Sequence, residues 1–204
     1  MAELSRYDVS DKEAGIENGI LKNKLGIKNQ KKLEDAETVL LADTYTHFFD
    51  LLEKRKLNLD ISLLFTINKY FLGTLYPWAG KVRTIDVSKD GMLFASVKYI
   101  DDSLKSFEAM LKKNIPTGRD GKKKVAQKLA IIHNECNAIH PFREGNGRTV
   151  RLFLDLTAGS LGYNPINWRK NQRIEYIQAC IDGMAREHKS MEKIIFEGLT
   201  KKVG

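Results

Sequence analysis

From Lys32 to about Lys54, Leu33, Ala36, Leu40, Thr44, Phe48 and Leu51 recur every three or four positions and share one face, which predicts a helix. The same period runs from Ile61 to about Leu75 through Leu64, Ile67 and Phe71, and Pro77 and Gly80 close it. The pattern then shortens. Two β-prone runs, Val82 to Val87 and Met92 to Val97, flank Ser88-Lys89-Asp90-Gly91 and predict a β-hairpin, the only strands expected. Helical spacing resumes from Asp102 to Asn114, ended by Pro116 and Gly118. Val125, Leu129, Ile132, Cys136 and Ile139 then form a stripe that runs into His140. Further helices are expected from Thr149 to Ser160, along Ile174, Ile177, Ile181 and Met184, and from Met191 to Leu199. No internal repeat or low-complexity linker interrupts the series. The expectation is a mainly α, helical-bundle fold with one small β-hairpin, residues 1–20 forming an N-terminal arm and residues 21–204 the domain.

The segment joining the helix that ends at His140 to the one that begins at Thr149 carries the chemistry. It reads His140-Pro141-Phe142-Arg143-Glu144-Gly145-Asn146-Gly147-Arg148-Thr149-Val150-Arg151. An imidazole can take a proton near neutral pH. Gly145 and Gly147, flanking Asn146, let backbone N–H groups turn toward an anion at a helix N-terminus. Arg148 and Arg151, three apart, offer planar forks for phosphate oxygens, and Glu144, read as an exposed loop carboxylate, can hold Mg²⁺. An aromatic at Phe142 is expected to pack inward and support the loop. The equipment suits binding a nucleoside triphosphate and transferring part of it.

This segment resembles, position for position, the H-x-F-x-[DE]-G-N-G-R-x-x-R signature of the Fic (filamentation induced by cyclic AMP) proteins. Tyr76-Pro77-Trp78-Ala79-Gly80-Lys81-Val82-Arg83, Gly162-Tyr163, Asn167-Trp168 and Leu21-Lys22-Asn23-Lys24-Leu25-Gly26-Ile27 are similar to further stretches of that family. The likeness spans about Leu21 to Phe196. The resemblance implies a protein adenylyltransferase that moves AMP from ATP to a Tyr, Thr or Ser hydroxyl of a target protein and releases pyrophosphate. It implies His140 as general base and Glu144 as the Mg²⁺ ligand. Gly145, Asn146, Gly147, Arg148 and Arg151 fall on phosphate contacts, Lys89 and Met92 beside the nucleotide, and Tyr176 and Ile177 against adenine, although core packing competes for Ile177. The hairpin becomes a flap on which the target lies as an added strand, with Phe94 clamping its side chain. Asn68 departs from the family, where many relatives carry His.

Two rival readings stay open, a transferase of another nucleotide or phosphate-containing group and a non-catalytic regulatory or DNA-binding relative. Intact His140, Glu144 and Arg148 argue against the second. Relatives are commonly restrained by a glutamate on a [ST]-x-x-x-E-[GN] helix that pairs with the last arginine of the signature, here Arg151. Glu17-Asn18 and Glu197-Gly198 match only in part, because Glu13 and Lys193 stand where Ser or Thr is required. The expected inhibitor is therefore a separate small antitoxin-like protein, which would make this chain the toxin of a toxin–antitoxin pair.

Composition changes this picture little. The formal charge of +8, from 34 basic and 26 acidic residues, is scattered and lacks a nucleic-acid-binding motif, so a solvated surface is expected and nucleic acid is not. Arg169, Lys170 and Arg173 are read as solvated. Cys136 and Cys180 read as buried reduced thiols, and His133, Glu135, Cys136 and His140 lack the partner cysteines of a zinc deaminase. No secretory leader or membrane span is visible. The expected location is a cytoplasm, or a host cell reached from a bacterial one.

Overall fold

The computed structural model describes residues 15–17, 19–89, 92–168 and 173–202. Among them, seven α-helices appear in the order the periodicity predicts: α1 Gln30–Glu53, α2 Ile61–Leu72, α3 Ile100–Asn114, α4 Lys122–Ile139, α5 Asn146–Ser160, α6 Arg173–Met184 and α7 Lys189–Gly198. Local chemistry fixes several ends. The Asn29 side chain accepts from Lys32 N–H, and Asp60 accepts from Ser62 and Leu63 N–H, each satisfying donors that a first helical turn leaves unpaired.

Helix α5 sits at the centre. Val150, Leu152, Phe153, Leu154, Leu156 and Ala158 are all buried, so apolar residues point to several sides of one helix, as a central helix requires. The α4 stripe of Val125, Leu129 and Ile132 joins the same core. A second cluster of Leu33, Phe71, Leu72, Leu75, Tyr76 and Ala79 fastens α1 to α2, and Ile20, Leu21 and Trp78 lie against it. The N-terminus of α5 is thus rooted in the core, which fixes the position of the site.

The hairpin departs from expectation. Its strands are β3 Ser88–Lys89 and β4 Met92–Leu93, paired Ser88 to Leu93 and Lys89 to Met92. The expected turn residues Ser88 and Lys89 are therefore strand, while Asp90 and Gly91 lie outside the described residues. The β-prone runs on either side do not pair with each other because their backbone groups have other partners. Arg83 N–H donates to Pro141 O at 2.9 Å and Ala95 N–H to Ala138 O at 3.0 Å, while Val97 N–H meets the Asp86 carboxylate at 2.7 Å. A second hairpin, not expected, pairs β1 Ile16–Glu17 with β2 Ile20–Leu21. Strands of two residues show no alternation, so nothing in the pattern announces them. This hairpin crosses the expected boundary at residue 20. Residues 1–14 lie outside the described residues.

Candidate active site

Helix α4 stops because His140 takes a left-handed conformation, φ 51° and ψ 60°, which ends the helical path and turns the chain into the signature loop. Arg83 receives that turn. Only 3% exposed, it donates from Nε to His140 O at 2.8 Å, from Nη1 to Ile85 O at 2.6 Å, and from Nη2 to Ile139 O at 3.2 Å and to Ala95 O. One guanidinium thus satisfies the last carbonyls of α4 and ties the hairpin stem to them.

The His140 imidazole is 5% exposed and stacks on Phe94, with ring centroids 3.7 Å apart and planes 12° from parallel. Its Nδ1–H donates to Asn137 O at 3.3 Å, so Nε2 carries the lone pair. Burial, with smaller contributions from the Arg83 and Lys89 charges, pushes the imidazole down to about 3. At neutral pH the ring is neutral and able to accept a proton.

Beyond the loop, Gly145 (φ 80°) stands at the N-cap of α5. A Cβ there would lie 2.8 Å from Leu72 Cδ1, so only glycine fits. The helix opens at Asn146, three residues earlier than expected; its first turn lines the cleft and has no side-chain cap, the setting in which unpaired helix N–H groups form an anion cradle. Glu144 is not the exposed carboxylate expected. It is 5% exposed, and its Oε1 accepts from Gly145 N–H at 2.7 Å and from Arg148 Nη2 at 3.0 Å.

A cleft of about 500 Å³ gathers His140, Glu144, Gly145, Asn146, Gly147, Arg148, Arg151, Lys89, Met92, Phe94, Tyr176 and Ile177. All but one of the residues singled out from the sequence therefore share a single concavity. The exception, Phe142, is buried and meets Phe65 edge-on, as expected of a support. Two expected roles change. The Asn146 amide is committed to the loop itself, accepting from Phe142 N–H at 2.8 Å and donating to Phe142 O at 2.7 Å, so it shapes the cradle from beneath. Phe94 is 7% exposed, lies against the His140 ring and lines the cleft from within, so its contacts are to the imidazole and not to an outward docking face. The Ala95 bond to α4 turns it inward, and Leu93, 79% exposed, is the outward residue of that strand.

Tyr176 is more constrained than an adenine platform needs to be. His133 Nδ1–H donates to Asn134 Oδ1 at 3.0 Å, which leaves Nε2 to accept from Tyr176 O–H at 2.8 Å, and Arg151 Nη1 donates to the same hydroxyl at 3.1 Å. Burial holds His133 down to about 4, in keeping with a neutral acceptor. Tyr176 thus orients Arg151, and His133 is a structural residue of that chain. Among the described residues no carboxylate lies within ion-pairing distance of Arg151.

Further participants were not assigned to the site from the sequence. Asn68, fully buried, donates from Nδ2 to Glu144 O at 3.0 Å and to Thr149 Oγ1 at 3.2 Å, and accepts from Gly80 N–H at 2.8 Å. Asp155 accepts from Tyr45, Ile166 and Trp168, which gives the Asn167-Trp168 stretch its role. Glu34 and Thr38 of α1, Asn137, Cys180 and Arg173 also line the cleft. Arg173, read as merely solvated, faces the site, while Arg169 and Lys170 lie outside the described residues.

Mg²⁺ at nucleotide sites is held by one or two carboxylates together with substrate phosphates. The donors here fit that habit: Glu144 supplies a carboxylate beside the cradle, and no group of three or more His, Cys, Asp or Glu able to hold a metal occurs among the described residues.

The model of the Fic/DOC family matches residues 58–158. The chain is similar to Protein adenylyltransferase VbhT of Bartonella schoenbuchensis, 33% identical over 201 residues that make up 97% of this chain and 41% of that protein. It is 27% identical to Probable protein adenylyltransferase Fic of Escherichia coli, covering 91% of this chain and 90% of that one. Its fold is similar to that of BepC from Bartonella tribocorum, a VirB-translocated effector solved with bound AMPPNP, with a TM-score of 0.75, 23% identity and coverage of 90% and 93%. With its signature loop, cradle and helical frame in place, the chain belongs to the Fic/DOC family.

Proposed function

We propose that this chain transfers AMP from ATP to a Tyr, Thr or Ser hydroxyl of another protein and releases pyrophosphate. The observation that carries the reading is the placement of one buried, neutral imidazole at the edge of a phosphate-sized helix N-terminus within a single cleft. The naming of VbhT and the Escherichia coli relative as protein adenylyltransferases supports it.

His140 Nε2 removes the proton as the target oxygen bonds to the α-phosphorus, and the bond from that phosphorus to the pyrophosphate oxygen breaks. First-turn N–H groups of α5, with Arg148 and Arg151, hold the phosphate chain so that its α-phosphorus faces the incoming oxygen. Most of the acceleration then comes from positioning and preorganised charge. Bound triphosphate brings negative charge beside His140 and raises its pKa toward the working range. Glu144 would hold Mg²⁺, which would supply neutralisation of the phosphate charge. The target enters as a strand along the β3–β4 hairpin, and the exposed Leu93 supports this docking edge. Restraint comes from a separate protein that presents a glutamate to Arg151, whose guanidinium has a tyrosine hydroxyl for a partner.

The test is incubation of the protein and a target lysate with ATP labelled at either the α- or the γ-phosphate. Label from the α position, found by mass spectrometry as a 5′-AMP adduct on a hydroxyl, is the expected result. His140→Ala should reduce it by about 10²–10⁴ while ATP still binds. Transfer of the γ label instead would overturn the reading in favour of phosphorylation.

A further inference from the structure

Arg148 does not stand free at the cleft. Its Nη1 donates to Glu37 Oε2 at 2.7 Å and its Nη2 to Glu144 Oε1 at 3.0 Å, and the guanidinium carbon lies 4.8 Å from the centre of the Phe71 ring. Glu37 belongs to α1, far from the signature in sequence, and has 0% exposure. Its other oxygen accepts from Tyr76 O–H at 2.8 Å, which fixes the carboxylate from the opposite side. One guanidinium is therefore strung between two carboxylates, one anchored in the core and one on the loop that would face a cation.

A buried carboxylate of this kind is costly unless it is paired and hydrogen-bonded, and this one is both. Its placement also has a consequence for the site. Glu144 and Arg148 are four residues apart across the start of α5, a spacing that lets the two side chains pair fully. If Arg148 were unrestrained, its fork could close on both oxygens of Glu144, the geometry that carboxylates and guanidinium groups favour. That pairing would occupy the carboxylate and turn the arginine away from phosphate. Glu37 holds one edge of the fork on α1, so only Nη2 reaches Glu144.

We infer that Glu37 is a positioning residue that divides Glu144 between Arg148 and a divalent cation, keeping Arg148 spread toward phosphate and Glu144 open to Mg²⁺. The inference rests on the nucleotide-binding part of the proposed function and not on the identity of the transferred group. Glu37→Gln keeps the volume and removes the charge: its amide NH2 can turn to the Tyr76 hydroxyl, but the bond to Arg148 becomes a neutral one and no longer holds the guanidinium against the pull of Glu144.

The experiment is calorimetric titration of the whole chain with ATP across a Mg²⁺ series and in EDTA, alongside the Mg²⁺ dependence of AMP transfer. Glu37→Gln should raise the Mg²⁺ concentration that half-saturates ATP binding by about tenfold, the order expected for one rearranged charge-assisted bond. ATP affinity in EDTA should change less than the affinity with Mg²⁺. Combining Glu37→Gln with Arg148→Lys should add almost nothing to Arg148→Lys alone, because both act through one contact. Glu37→Asp, which keeps the charge but shortens the reach, should shift the Mg²⁺ requirement in the same direction, and it serves if the glutamine variant does not fold. An unchanged Mg²⁺ requirement in a folded variant overturns the inference, as does an equal loss of affinity with and without Mg²⁺. If Mg²⁺-dependent ATP binding moves as described but the unaltered chain transfers no AMP, the proposed reaction falls and the role of Glu37 stands.

Discussion

Replacing Arg83 with leucine removes the donors that satisfy Ile85, Ala95, Ile139 and His140 carbonyls from one buried position. Each hydrogen bond to a charged group contributes about 1.5–3 kcal/mol net, but they share one guanidinium whose own desolvation cost disappears with it. Water can also reach some of the freed carbonyls. The expected net loss is about 2–4 kcal/mol, against a total stability of about 5–15 kcal/mol for a domain. At this chain length that lowers Tm by roughly 4–16 °C. Arg83→Lys keeps the charge but not the fork, so its loss should be about half. Urea unfolding followed by circular dichroism gives the first quantity. The second readout is kinetic. Arg83 donates to the turn that carries His140 and to the hairpin stem, so the variant, assayed while folded, should lose kcat with little change in the KM for ATP. A leucine variant that keeps wild-type stability, or one that loses ATP binding and kcat together, would refute this account of how the base is held.

Gly145→Ala must adopt a φ of 80° and place its Cβ 2.8 Å from Leu72, so a loss of about 1–3 kcal/mol by thermal melting and weakened ATP binding by calorimetry are expected. Glu144→Ala should abolish the Mg²⁺ dependence of ATP binding and also lower stability by about 1–3 kcal/mol in urea titration, because this buried carboxylate holds Gly145 N–H and Arg148. Acidification should expose the buried histidine. His133 sits near 4 when folded and near 6.5 when unfolded, so the unfolded chain binds its proton first and stability, full above pH 6.5, falls as pH drops toward 4. The share is about 3 kcal/mol. Asp155, pushed up to about 6 by burial, acts in the opposite sense over part of that range. The difference between wild type and His133→Gln in urea titrations at pH 7 and 4.5 isolates the histidine. Equal pH slopes in the two proteins would contradict it.

The sequence made the helices legible because each buries a stripe of the helical period, and the stripe on α4 led directly to His140. The signature was legible because its residue types are chemically specialised and contiguous. What stayed hidden was everything set by distant pairing. Glu37 looks like any charged residue of an amphipathic helix until Tyr76 and Arg148 close around it. Asn68 looks like a lapse in the family pattern, yet its amide joins α2, the loop and Gly80. The hairpin was placed correctly but measured wrongly, since β propensity cannot tell a ladder from a run whose N–H groups are taken by another element.

Asn68 also bears on where the cleft can yield. Its amide reaches the carbonyl of Glu144, the hydroxyl of Thr149 and the N–H of Gly80 from a position with no solvent access, so the floor beneath the phosphates is braced before any ligand arrives. The β3–β4 hairpin, which also lines the cleft, is joined among the described residues by the pairing of two residues on each side. Hydrogen exchange should therefore divide the site in two, slow at the root of α5 and fast at the hairpin. Under the proposed function, a nucleotide entering such a site would spend little of its affinity on ordering the floor that reads its charge, and the freedom to admit targets of different shape would reside in the hairpin.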